Sequence, residues 1–164
     1  EILFPGHTPV EVPKLREYSF GVFENETVQE LQGSAAFRRW TESGMREPPL
    51  GGEDRTAFLN RCEEGFSWVL ENMMRERMTA AALICHSGIM MNLLSQHGYP
   101  KQEPLKWKAE PGEGFTALIT ASMWQRAGVF EVVDPIPYIK GDEHEPAAYG
   151  IYDLEEEEDD GDES

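Results

Sequence analysis

The stretch ALICHSGIMMNLL constrains the fold of this chain more than any other feature. It joins an apolar run at residues 80–85 to an apolar helical pattern that starts near Gly88, and the polar residues His86 and Ser87 separate the two. A strand that leads directly into a helix is typical of α/β proteins, whose ligands bind where such strands end. The sequence therefore predicts an α/β fold with a candidate site at residues 86–88.

The other apolar patterns favour a mixed α/β sandwich around a partly parallel sheet. Thr27 and Glu30 have the spacing of a capping box, which would open a helix. A stripe with steps of three or four residues predicts one long helix whose buried side chains are Phe58, Cys62, Phe66, Val69 or Leu70, and Met73. We predict strands at 8–12, 80–85, 115–123 and 129–133, helices at 28–40, 53–78 and 88–97, a loop at 15–25 and a hairpin at 125–128.

A chain of 164 residues with 40% hydrophobic composition can build a core without disulfide bonds. Its two cysteines, Cys62 and Cys85, lie in apolar patterns and need no redox role, which favours a reducing, cytoplasmic setting. No secretory signal or membrane-spanning apolar run is visible. The chain begins with Glu-Ile-Leu rather than Met, which suggests a fragment.

The formal net charge is −17, and eight of the acidic residues fall within the last ten positions. Removing these eight leaves −9, so the body of the chain is acidic too. Nucleic acid binding is disfavoured, because phosphate contacts need clustered Lys and Arg. We predict a domain at 1–134, an irregular segment at 135–153 and an acidic, unfolded tail at 154–164 that keeps the chain soluble or binds a basic partner.

The strand-to-helix junction at residues 86–88 has features that favour anion binding. The first N–H groups of the helix that follows lack intrahelical partners, and Gly88 would let a phosphate approach the backbone. His86 could donate a hydrogen bond to a phosphate oxygen. The plainer alternative is a histidine that ends a strand, beside a serine that caps the helix.

Rival motifs fail on the same letters. A nucleophile elbow needs Gly-x-Ser-x-Gly, but Cys85 and Ile89 stand where the glycines would be. A cysteine phosphatase loop would need an arginine where Met91 lies. The four histidines lack metal-ligand spacing, so neither a metal nor another cofactor is expected.

The loop LREYSFGVFEN at 15–25 contains a second candidate. Glu17 and Glu24 lie among the aromatic residues Tyr18, Phe20 and Phe23. A carboxyl group held against apolar rings can stay protonated and act as a general acid. A solvated loop carboxylate is the alternative, since acidic residues are abundant in this chain.

In order and spacing, these motifs resemble the histidine phosphatase superfamily, the phosphoglycerate mutase-like enzymes. The family has a Leu-x-Glu, then Phe-Gly and an acidic residue, then a Gly-Gly-Glu before a long helix, and finally a strand that ends in a histidine and a glycine. The matching residues here are Leu15, Glu17, Phe20, Gly21, Phe23, Glu24, Gly51, Gly52, Glu53, His86 and Gly88. The resemblance implies a largely parallel sheet flanked by helices.

The resemblance also implies a phosphohistidine mechanism on a small phosphorylated metabolite. Glu17 would be the proton donor, and His86 would bind the phosphate together with Ser87 and Gly88. Phe20, Glu24 and Glu53 would lie at the substrate rim. The substrate itself, and the choice between mutase and phosphatase, are not encoded in these residues.

One family element is absent from the sequence. The nucleophilic histidine of the family lies in an Arg-His-Gly motif, and no such motif occurs in these 164 residues. The chain therefore resembles a C-terminal portion without the first strand and helix, and we expect it to be inactive alone. His7 lies in a turn pattern and is a poor substitute. The alternative is a non-catalytic, phosphate-binding or dimerising protein, with exposed sheet edges that would favour a homodimer.

Overall fold

The computed structural model describes residues 4–137. Five α-helices and three β-strands follow one another along this part of the chain. The helices are α1 (Val28–Leu31), α2 (Ala35–Glu42), α3 (Arg55–Arg75), α4 (Ser87–His97) and α5 (Ala121–Ala127), and the strands are β1 (Gly98–Tyr99), β2 (Gly114–Leu118) and β3 (Phe130–Ile136).

The three strands form one mixed sheet in the order β1-β3-β2. β1 pairs with β3 in parallel, with Gly98 opposite Phe130. β2 pairs with β3 in the antiparallel sense, from Gly114 opposite Ile136 to Leu118 opposite Glu131. The predicted α/β class and the antiparallel pairing at the end of the domain are thus confirmed. Among residues 4–137, the parallel part of the sheet is limited to the short β1–β3 pair.

The core lies where α3 meets α4 and the sheet. The predicted stripe of α3 is confirmed, because Phe58, Cys62, Phe66 and Leu70 are all buried. They pack with Ile89 and Leu93 of α4 and with Phe130 of β3. Trp107, from the turn at Pro104–Trp107, is buried in the same cluster. Fully burying an aliphatic or aromatic side chain contributes about 1.5–3 kcal/mol, so this cluster stabilises the position of α4.

His97 fastens the last turn of α4. Its Nδ1 lies 2.7 Å from the carbonyl oxygen of Gly128, and its Nε2 lies 2.6 Å from Oε2 of Glu63 on α3. The ring also packs against Phe66 and Trp124. One side chain thus joins α3, α4 and the turn before β3.

The predicted strand at 80–85 is wrong as a hydrogen-bonded strand. These residues form neither helix nor strand, and no backbone hydrogen bond joins them to the rest of the described chain. The side chains of Leu83 and Ile84 are 41% and 75% exposed. The apolar, β-favouring residues suit a strand, but pairing needs a neighbouring strand, which residues 4–137 do not provide here.

Two predicted boundaries shift because capping residues were overlooked. The helix expected at 28–40 is split, since Ser34 caps α2 by accepting a hydrogen bond from the Phe37 amide. The capping box of Thr27 and Glu30 is confirmed at the start of α1. The strand expected at 115–123 ends at Leu118.

The hairpin predicted at 125–128 is the end of α5. Thr120 caps the start of this helix, and Gly128 ends it with a left-handed φ of +60°. A glycine at positive φ suits both a hairpin turn and a helix C-terminus, so the letters alone did not distinguish the two.

The remaining differences lie near the ends of the described chain. Residues 8–12 form no strand, although Val10 is exposed and apolar. β3 starts one residue late and runs to Ile136. The predictions for 138–164, including the acidic tail, lie outside the described residues, and the predicted domain boundaries stay predictions. No helix among residues 4–137 is long and apolar enough to span a bilayer.

Candidate active site

An aromatic cluster holds the loop at 15–24 against two helices. The ring of Tyr18 packs on Phe20, on Trp40 of α2 and on Phe58 of α3. Phe23 is buried against Trp40 as well. Since each such aromatic pair contributes about 0.5–1.5 kcal/mol beyond area burial, the loop is fixed although it has no long regular element.

Two glycines let this loop contact the loop before α3. Gly21 has a φ of +54°, and a Cβ placed on it would lie 2.3 Å from the amide nitrogen of Gly52. The Val22 amide donates to the carbonyl of Leu50, and the Glu53 amide donates to the carbonyl of Ser19. A Cβ on Gly52 would likewise lie 2.8 Å from the carbonyl oxygen of Ser19, so this contact requires glycine at both positions 21 and 52.

The loop brings Glu17 to His86. Oε2 of Glu17 lies 3.6 Å from Nδ1 of His86, and the imidazole is more than half exposed. The other carboxylate oxygen, Oε1, accepts a 2.7 Å hydrogen bond from the Tyr18 amide. The two residues that sequence motifs singled out from separate segments are therefore adjacent, although their chemical roles stay predictions.

Both side chains face the N-terminus of α4. His86 is the N-cap residue, and its side chain makes no capping hydrogen bond. A Cβ placed on Gly88 would come within 3.2 Å of Oε1 of Glu17, so the carboxyl group lies over the first turn. The Ser87 hydroxyl is buried and has no partner among the described residues. The open amides and the helix dipole make this end of α4 attractive to an anion.

Glu53, predicted at the substrate rim, is engaged by an arginine. Its two carboxylate oxygens accept hydrogen bonds of 2.6 and 2.7 Å from Arg61 of α3. The side chains of Glu53 and Arg61 are only 11% and 14% exposed. These hydrogen bonds lower the pKa of Glu53 and raise that of Arg61.

Sequence reasoning missed Arg61. The signal was its place in α3, three residues after Phe58 and directly before Cys62, at the margin of the buried stripe. An arginine at such a margin must find partners for its donors. The candidate partner was Glu53, two turns earlier, whose motif had been assigned only to the substrate rim.

The other predicted residues lie around the same loop. Phe20 is half-buried next to Trp40, and its amide donates a 2.7 Å hydrogen bond to Oε1 of Glu24. Glu24 thus holds its own loop, and its place at the substrate rim stays a prediction. His7 is exposed, and its Nδ1 lies 3.3 Å from the carbonyl oxygen of Pro5.

The site is poor in cations. Within residues 4–137, the lysine and arginine ion pairs go to Glu53, Glu64, Glu76 and Glu110, and none goes to Glu17. No group of three His, Cys, Asp or Glu side chains in that part of the chain could hold a metal ion. Among the described residues, His86 and the amides of α4 are therefore the candidate donors to an anion at this site.

Both cysteines of the chain are free thiols. Burial raises the pKa of the Cys62 thiol to about 11 and also raises that of Cys85, next to His86. A thiol with a raised pKa is a poor nucleophile at neutral pH. The cysteine beside the candidate site therefore contributes packing to it.

These observations define the chain as an α/β protein with a polar site where a loop glutamate meets the first turn of a helix. The sequence model of the histidine phosphatase superfamily (branch 1) matches residues 4–125. The chain belongs to this superfamily. Searches of curated proteins and of solved structures gave no significant match.

Proposed function

We propose that this chain provides the proton donor and part of the phosphate site of a phosphomonoester hydrolase that acts on a small phosphorylated metabolite. The observation that carries the proposal is the 3.6 Å separation between Glu17 and His86 at the N-terminus of α4. A carboxyl group beside an anion site can protonate an oxygen that leaves a phosphoryl group.

His86, Ser87 and Gly88 bind the phosphoryl oxygens in this proposal. The imidazole donates one hydrogen bond, and the amides of the first turn donate others toward the negative charge. Gly88 keeps the first turn free of a side chain. The unpartnered Ser87 hydroxyl is available as a further donor.

The chemical step transfers the phosphoryl group to a histidine nitrogen. The ester P–O bond breaks as an N–P bond forms, and Glu17 gives its proton to the leaving oxygen. Water then attacks phosphorus with Glu17 as the base, and the N–P bond breaks. The acceptor histidine of the family lies in an Arg-His-Gly motif, which these 164 residues lack, so we propose that the chain alone turns over negligibly.

Titration with inorganic phosphate tests the binding part. We expect weak binding, detected as a shift of the Ser87 and Gly88 amide signals in NMR spectra, and loss of this shift in His86→Ala. Glu17→Gln should bind phosphate at least as tightly, because it removes a negative charge next to the anion. His7→Ala is the matched control and should bind as the unaltered chain does.

Hydrolysis of p-nitrophenyl phosphate tests the catalytic part. We expect background rates from the chain alone. Robust hydrolysis that survives both His86→Ala and Glu17→Gln would contradict the proposed mechanism. Phosphate binding that is unchanged in His86→Ala would contradict the proposed site.

A second candidate is a non-catalytic protein that binds phosphate and forms a homodimer. It is favoured by residues 79–85, whose backbone groups have no hydrogen-bond partner within residues 4–137 and whose Leu83 and Ile84 are exposed. Antiparallel pairing of two copies about Ala82 would bring Arg77 of each copy opposite Ser87 of the other, near Glu17. Opposite charges would then meet at both ends of the pair.

Sedimentation of the chain tests this candidate. We expect a concentration-dependent dimer that Ile84→Lys disrupts, because a charge would enter the paired strands. Leu105→Lys, at a position that is 79% exposed outside this segment, is the control and should leave the dimer intact. A monomer at all concentrations would contradict the dimer and leave the phosphate site to be judged by the titration.

A further inference from the structure

Arg61 uses its whole guanidinium group inside the protein. Its Nε and one Nη2 proton bond to Glu53. Its Nη1 group donates to the carbonyl oxygens of Lys14 and Arg16, at 2.8 and 2.6 Å, and Nη2 also donates to the carbonyl of Glu17 at 2.9 Å. A guanidinium has five N–H donors, and five oxygens receive them.

Three of these oxygens belong to the backbone that leads to the candidate proton donor. The carbonyls of residues 14, 16 and 17 converge on one planar cation, which fixes the path of the chain up to Glu17. The following amide, that of Tyr18, donates to the Glu17 carboxylate. Arg61 therefore does not contact the Glu17 carboxylate itself. It binds the backbone of Glu17, and the next amide along the chain binds the carboxylate.

The guanidinium is itself held rigidly. Its central carbon lies 4.9 Å from the centre of the Phe58 ring, and Phe58 packs on Tyr18. Glu53, its ionic partner, is held by the amide contact to Ser19. The position of Arg61 is therefore fixed from α3 and from the loop before it.

We propose that Arg61 is the positioning residue of Glu17, which sets the carboxylate over the first turn of α4 by binding the carbonyls of residues 14–17. The proposal rests on the proposed function only for the role given to Glu17. A lysine cannot replace Arg61 in this task, since one ammonium cannot serve both Glu53 oxygens and three carbonyls in a planar arrangement.

NMR spectra of the intact chain report the position of the Glu17 carboxylate, which a change in stability alone would not alter. In the unaltered chain, Glu17→Gln should shift the Tyr18 amide signal and the His86 ring signals, because the carboxylate contacts both groups. In an Arg61→Lys background, we expect Glu17→Gln to leave the His86 signals unshifted and to shift the Tyr18 amide much less, because the carboxylate has left its place and only the effect of the neighbouring residue type remains. Arg61→Met, which keeps the apolar stem, should give the same result.

Two control backgrounds separate positioning from stabilisation. Glu53→Gln removes the charge pair but leaves the carbonyl bonds of Arg61, so it should lower stability and preserve both Glu17→Gln shifts. Arg75→Lys changes an exposed arginine of the same helix, which pairs with Glu76, and should preserve the shifts too. All variants are measured in sucrose, which favours the compact state.

Preserved Tyr18 and His86 responses in Arg61→Lys would overturn the positioning role. The same holds if Glu53→Gln abolishes the responses as completely as Arg61→Lys does, or if neither Arg61 variant folds in sucrose. Failure of the chain to bind phosphate would instead contradict the proposed function, and the Tyr18 response would still report on Arg61.

Discussion

The carboxylate of Glu17 lies against Gly88 in the first turn of α4, since a Cβ placed on this glycine would come within 3.2 Å of Oε1. An alanine at position 88 would push the end of this flexible side chain back by a few tenths of an ångström. Glycine at this position thus lets the Glu17 carboxylate lie this close to the helix.

Gly88→Ala should therefore alter the candidate site without lowering the stability of the fold. Alanine is a better helix former than glycine by up to about 1 kcal/mol, so urea denaturation should show unchanged or slightly raised stability. Phosphate titration should show altered His86 signals, because Glu17 has been displaced. Gly33→Ala, at a position with open space around it, is the control and should change neither phosphate binding nor the His86 signals. Unaltered His86 signals in Gly88→Ala would contradict the close contact.

Gly21→Ala should destabilise the fold far more than Gly51→Ala. Both positions have positive φ, which costs an alanine about 1–2 kcal/mol. At Gly21 the new Cβ would also meet the Gly52 backbone, and overpacking adds about 1–3 kcal/mol. Gly51 has open space, so it reports the φ cost alone. Equal losses in urea denaturation would mean that the two loops do not touch as described.

The ion pair of Glu53 and Arg61 should make stability fall in acid. The pKa of Glu53 is lowered from its ordinary 4.5 by hydrogen bonds from Arg61. A lowered carboxyl pKa contributes stability above pH 4.5, which is lost as the pH falls through the folded-state value. Glu53→Gln should cost about 1–3 kcal/mol at pH 7 and progressively less below pH 4.5.

Thermal unfolding from pH 7 to pH 3 measures this difference. Glu64→Gln, which removes an exposed ion pair between α3 and Lys14, is the control and should cost at most about 1 kcal/mol. A gap between the unaltered chain and Glu53→Gln that stays constant down to pH 3 would contradict the assignment.

Cys62 should resist alkylation in the folded protein. Its thiol is fully buried and has a pKa raised to about 11, so iodoacetamide at pH 8 should label it only after denaturation. Cys85 is partly exposed and should label first, though slowly because burial raises its pKa as well. Mass spectrometry of the labelled peptides measures the order, and equal rates in the native state would be the opposite result.

The raised pKa of the Cys62 thiol should also make the folded protein less stable at alkaline pH. A group whose folded pKa lies above its ordinary 9.0 contributes stability below pH 9, and this contribution is lost as the pH rises toward 11. Cys62→Ala should therefore flatten the loss of stability between these values. Unfolding followed by circular dichroism measures this loss. If Cys62→Ala loses stability above pH 9 as steeply as the unaltered chain does, other groups cause the loss.

The sequence predicted best where one segment sufficed. The stripe of α3 and the capping box at Thr27 are local patterns, and both are confirmed. The order of the motifs also predicted that Glu17 and His86 share one site, and the two side chains are adjacent in the structure. Pairing was harder, since the letters of residues 80–85 encode an extended shape but not the neighbour that would make them a strand.

Arg61 shows why part of the site could not be read. Three of its five acceptors are main-chain carbonyls, which carry no residue identity, so no motif announces them. Only the Glu53 contact left a trace in the sequence. Two helix boundaries were missed for a different reason. Ser34 caps α2 and Thr120 caps α5, but the apolar pattern runs on through both positions and gives no sign of a boundary.

The anchoring of α4 at His97 has a mechanical consequence. The helix cannot slide along its axis without breaking the contacts of His97 to both Glu63 and Gly128. At the opposite end of the helix, His86 is more than half exposed, and its Nδ1 lies 3.6 Å from Oε2 of Glu17. An anion in the proposed site would therefore be accommodated by rotation of the His86 and Ser87 side chains, while α4 stays in place.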